Sequence, residues 1–173
     1  LKNIHLSYND FLGTLKEIVM GVFKKADYYY GALLSLLMNN GMKPALFEKE
    51  NYDDRKRYTV TTNNGEYEFY CKYMSNPTGK DDLTWSFNFT ENECKEILYL
   101  SETEKKIVFA LICTQKELSS PKQEVALVYK DEFNKCVELN TYKDASPRLS
   151  IKMTKYSNYL RIYPAFRKCK LAK

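Results

Sequence analysis

Histidine is almost absent: His5 is the only one in 173 residues. Any Ser-His-Asp or Cys-His catalytic arrangement would have to use it. His5 precedes the first helical pattern, where a surface role is the expectation. Glycine is scarce as well, with six residues scattered along the chain. Neither G-x-x-x-x-G-K-[ST] nor G-x-G-x-x-G occurs, which argues against a phosphate-cradling loop. Five cysteines, at 71, 94, 113, 136 and 169, form no C-x-x-C pair and lack the clustering with His that zinc requires. The longest apolar stretch, Gly31–Met38, falls far short of the ~20 residues of a bilayer span. No basic-then-apolar leader with a small-residue cleavage site is seen. The expectation is a cytoplasmic chain with reduced thiols, no membrane association, no cofactor and no bound metal.

Aromatic residues, in contrast, are plentiful: 15 Tyr and 9 Phe. With 44% apolar and 28% charged residues, this composition predicts one folded domain spanning 1–173. The net charge of +5 is unevenly spread. The C-terminal segment 143–173 holds nine basic residues and one acidic, so it carries +8 and the remainder −3. A field of that kind bears on partners rather than on fold.

The pattern predicts an α+β fold: a mostly antiparallel sheet of about seven strands, an N-terminal helical hairpin and two short helices. Ser7 and Asp10 open an amphipathic helix that runs to Lys24–Lys25. Asp27 caps a second helix, 28–40, and Gly41 ends it. This helix is apolar nearly all round, so it is expected to be the most buried element, packed on 107–113 and intolerant of a charge at Leu36. Residues 48–57 read as a polar connector. Strands 58–62 and 66–74 flank the hairpin signal Asn63-Asn64-Gly65. LTWSFNF (83–89) alternates, and Thr90-x-x-Glu93 is a capping box for a helix to about Leu98. IVFALIC (107–113) is apolar throughout, as in a strand covered on both faces. A strand at 124–130 precedes a helix capped by Asp131, and 148–154 with 159–163 form a last hairpin.

Two places carry chemistry. On strand 66–74, Glu66, Glu68, Tyr70 and Lys72 share one face. A metal-dependent nuclease could use two carboxylates and an amine there, with an Asp from elsewhere. Its usual spacing sets Glu and Lys two residues apart, whereas Glu68 and Lys72 are roughly 13 Å apart along a strand. A solvated face with cross-strand charge pairs is the expected role. On the C-terminal hairpin, Leu149, Ile151, Met153, Leu160 and Ile162 read as the core side. Arg148, Lys152, Tyr159, Arg161 and Tyr163 read as the outer side, followed by Arg167 and Lys168. Cations neutralise phosphates and aromatic faces stack bases.

The functional expectation is therefore a non-enzymatic binding protein whose basic-aromatic hairpin meets single-stranded nucleic acid, RNA or a nucleoprotein. The alternatives are a protein–protein interaction module, such as an inhibitor or assembly subunit binding an acidic partner, and a divergent metal-dependent nuclease.

Overall fold

A computed structural model describes residues 23–46, 55–117, 123–139, 146–157 and 159–164. The fold is α+β, with eight strands in two sheets and three helices among the described residues. The larger sheet has the order β1 (Lys43–Leu46), β2 (Arg55–Thr62), β3 (Gly65–Met74), β5 (Ile107–Cys113) and β6 (Glu124–Tyr129). The smaller consists of β4 (Leu83–Asn88), β7 (Arg148–Met153) and β8 (Leu160–Pro164). The helices are α1 (Lys25–Asn39), α2 (Glu91–Glu102) and α3 (Lys130–Cys136).

Local chemistry explains most of these elements. The Lys24 backbone N–H donates to the Asp27 carboxylate at 2.8 Å, closing the first turn of α1. Asp27 is thus inside the helix, which begins at Lys25. Gly41, at φ 76°, ends the helix in the left-handed conformation that glycine tolerates. Asn63-Asn64 turns the β2–β3 hairpin, with Gly65 at φ 104°. The Thr90–Glu93 box caps α2 from both sides: the Glu93 N–H donates to the Thr90 hydroxyl, and the Thr90 N–H donates to the Glu93 carboxylate.

The larger sheet is covered on both faces. Tyr29, Tyr30, Leu33 and Leu37 of α1 pack on Val60, Phe69, Cys71, Val108, Ala110 and Ile112. On the opposite face, Tyr70, Phe109, Leu111 and Val128 meet Trp85, Phe87, Leu149 and Ile151 of the smaller sheet. Ile97 and Leu100 of α2 and Phe133 of α3 complete this core, and Phe109 stacks on Phe133 at 3.7 Å between centroids. The Trp85 indole N–H donates to the Thr114 carbonyl at 2.7 Å and ties the two sheets together. All seven residues of β5 are buried, as its unbroken apolar run requires.

Two expectations need correction. The strands form two sheets rather than one of about seven strands. The additional strand is β1, whose Lys43-Pro44-Ala45-Leu46 carries no strand signature. The pairing among the described strands is mostly antiparallel, as expected; β3 and β5 pair in parallel, because β4 and α2 intervene as a crossover. Secondly, α1 buries one face only: Tyr28, Leu36 and Met38 are exposed, and β5 is the more buried element. The first helix of the expected N-terminal hairpin lies outside the described residues.

Candidate functional site

β3 holds the first cluster. Antiparallel pairing with β2 sets Arg55 opposite Lys72, Arg57 opposite Tyr70 and Thr59 opposite Glu68. α2 then brings Glu93 and Glu96 over the same face. Lys72 pairs with Glu93, which also accepts from the Tyr70 hydroxyl at 3.3 Å and the Thr90 hydroxyl at 2.9 Å. Arg57 pairs with Glu68 and reaches Glu96 at 3.4 Å, while Arg55 binds Glu96 at 2.9 Å. Lys105 donates to the second oxygen of Glu68 at 3.0 Å.

The expected solvated face is therefore corrected. Glu66 is exposed, but Glu68, Tyr70 and Lys72 are buried, with Glu68 only 3% and Lys72 only 6% accessible. The reason is that α2 and the smaller sheet pack on this side, and charges survive burial only as neutralised, hydrogen-bonded pairs. Burial pushes the Glu93 carboxyl up, but the Lys72 ammonium and the Thr90 N–H outweigh it and hold it below the ordinary carboxylate value. Burial and the Glu93 charge push the Tyr70 phenol well up, so it stays a donor. Each carboxylate of this cluster is committed to a cation. No group of three or more His, Cys, Asp or Glu converges as a metal site among the described residues. These ion pairs tie α2 to β2 and β3.

The four described cysteines, 71, 94, 113 and 136, are buried. Burial pushes the Cys94 thiol up to about 11 and raises those of Cys71 and Cys113 as well, which leaves all three protonated and poorly nucleophilic.

The outer face of the smaller sheet is the second place, and it collects the hairpin residues. β7 lies between β4 and β8. Leu149 and Ile151 point inward and are fully buried, with Met153, Leu160 and Ile162 packed against the same core. The opposite face carries Arg148, Ser150 and Lys152. Register places Arg161 directly opposite Lys152 and Tyr163 directly opposite Ser150. On the other side Asn88, Ser86 and Thr84 face Arg148, Ser150 and Lys152, and the Ser86 and Ser150 hydroxyls lie 3.2 Å apart. Tyr159, just before β8, is 77% exposed, and Tyr163 is 43% exposed. Arg167 and Lys168 lie outside the described residues.

Two features of this face were not foreseen in the sequence. The turn residues Asp81 and Asp82 reach across to it: Lys152 pairs with Asp82 at 3.1 Å and Lys155 with Asp81 at 3.0 Å. The Lys155 N–H and the Lys152 ammonium hold the Asp82 carboxyl below its ordinary value. In addition, β4 extends the face with Thr84, Ser86 and Asn88. The alternation of LTWSFN announced an outer polar row, but nothing local announced its pairing with β7. Arg148 and Arg161 are exposed and enter no ion pair with another described residue.

No family model, no curated protein and no solved structure matches the chain. No helix among the described residues is long and apolar enough to cross a membrane.

Proposed function

We propose that the protein binds single-stranded nucleic acid, or RNA, on the outer face of the smaller sheet, without catalysing a reaction. One observation carries the reading: Lys152 and Arg161 stand directly opposite each other on adjacent strands, with two exposed tyrosines beside them. Like charges in that relation repel. Asp82 offsets part of the repulsion, and a phosphate between the cations would relieve the rest. Arg148 continues the row ~13 Å along β7, past the Ser150–Tyr163 pair. Cations then track a backbone while Tyr159 and Tyr163 offer stacking surfaces to unpaired bases. The Ser, Thr and Asn side chains of β4 and β7 add hydrogen-bonding groups for sugar or phosphate.

The test is the binding of short single-stranded RNA and DNA at several salt concentrations. Each phosphate neutralised contributes about 0.7 to the slope of log affinity against log salt for a single strand. Arg161→Ala should lower both the affinity and the slope. Tyr163→Ala should lower the affinity with the slope nearly unchanged. Absence of binding at low salt would refute the reading and favour an acidic protein, which the same field attracts.

A further inference from the structure

β6 is an outer strand of the larger sheet. It pairs with β5 from Cys113↔Glu124 to Val108↔Tyr129, and its other side meets no described strand. The outer strands of the molecule are not alike. β1 carries Lys43 and Pro44, and β8 carries Arg161 and Pro164, residues that oppose the addition of another strand. The free edge of β4 is engaged at Thr84, which exchanges two backbone hydrogen bonds of 2.9 Å with Thr78. β6, with the sequence Glu124-Val-Ala-Leu-Val-Tyr129, has neither a proline nor a basic residue. Leu127 and Tyr129 are 45% and 58% exposed along it. An open pocket of about 170 Å³, lined in part by Met42, Tyr67, Phe69, Leu127 and Tyr129, continues this apolar surface across the sheet.

We propose that β6 pairs antiparallel with β6 of a second copy of this chain, about a two-fold axis at Leu127. The two larger sheets would then be continuous. The sequence is self-complementary in that register. Leu127 faces its counterpart, Val125 faces Tyr129, and Ala126 faces Val128, while Glu124 lies beyond the last pair. Apolar pairs of this kind stabilise a sheet. Centring the axis at Ala126 instead sets Glu124 against Val128, and centring it at Val128 leaves Val125 and Ala126 without a partner in the strand. Only the Leu127 register pairs all five residues from Val125 to Tyr129 with one another. An isologous contact of this kind closes as a dimer and leaves no further β6 edge open.

Sedimentation or light scattering on the 173-residue chain, over a range of concentrations, tests the proposal. The wild type should dimerise. Leu127→Lys and Leu127→Glu each place like charges against themselves across the axis. Each variant alone should be monomeric, with the dissociation constant raised at least about 100-fold. An equimolar mixture of the two should regain the dimer, because Lys then faces Glu. Leu127 is exposed, so circular dichroism and the thermal transition of each variant should report an intact fold. A wild type that stays monomeric, variants that remain dimeric, or a mixture that stays monomeric would each overturn the proposal. Formation of larger aggregates in place of a dimer would overturn it too.

Discussion

Removing the charge of Glu93 tests whether the cluster under α2 acts as a clamp. Glu93 is fully buried and its partner Lys72 is nearly so. One oxygen takes Lys72 and the Tyr70 hydroxyl; the other takes the Thr90 N–H at 2.8 Å and the Thr90 hydroxyl at 2.9 Å. Glu93→Gln keeps the shape and an acceptor for Thr90, so the cap should largely survive. What it leaves is a buried ammonium that has lost the Glu93 charge, which costs about 3–5 kcal/mol. Against a total stability of about 5–15 kcal/mol, that is a large fraction. Lys72→Met should cost less, about 2–4 kcal/mol, because Glu93 retains the hydrogen bonds from Thr90 and Tyr70. The double variant removes both charges and should lose only about 1–2 kcal/mol, giving a coupling of at least about 2 kcal/mol. Urea unfolding of the four proteins, read at constant m, measures the cycle. Losses that add to within about 0.5 kcal/mol would refute a coupled pair.

The remaining expectations concern pH, α1 and a turn. Glu93 has a folded pKa below its ordinary value, so the folded chain binds fewer protons than the unfolded chain near that value. Its contribution is complete above about pH 4.3 and is lost as pH falls through the folded pKa. Acid unfolding should therefore be shallower in Glu93→Gln, and identical acid limbs would contradict this. Leu33→Asp, at a fully buried position on α1, should unfold the protein, whereas Leu36→Asp, on its exposed face, should cost under about 1 kcal/mol by thermal denaturation. Equal losses would mean that α1 is covered on both faces. Gly79 has φ 92°, and a Cβ there would meet the Asp82 carbonyl oxygen at 1.9 Å. Gly79→Ala should lower stability by about 1–3 kcal/mol and displace the Asp82 carboxylate from Lys152; an unchanged melting temperature would show that the turn can re-form.

Signals confined to one segment were legible in the sequence. Unbroken apolarity marked β5, Asn-Gly marked the β2–β3 turn, and the Thr90–Glu93 spacing marked the start of α2. Alternation in 148–154 and 159–163 separated the inward and outward rows of the last hairpin. Properties set by packing between distant segments were not legible. Arg55 and Arg57 resemble a solvated connector until Glu96, some forty residues on, is placed over them. Glu68 and Lys72 read as surface charges because a strand cannot show which of its faces a second sheet will cover. Helix α1 is apolar nearly all round, yet the sheet covers only one side of it. The basic row was visible, but its partial neutralisation by Asp81 and Asp82 depends on a turn about seventy residues earlier in the chain.

Where nucleic acid touches the chain is the most direct test of the proposed function. Single-stranded RNA and DNA photocrosslinked to the full chain, with the modified peptides identified by mass spectrometry, would locate the contact. Crosslinks are expected on Tyr159 and Tyr163, and they should weaken with added salt and in Arg148→Ala/Arg161→Ala. Crosslinks confined to other surfaces, or unchanged in that double variant, would contradict the assignment of the outer face of β7 and β8 as the binding site.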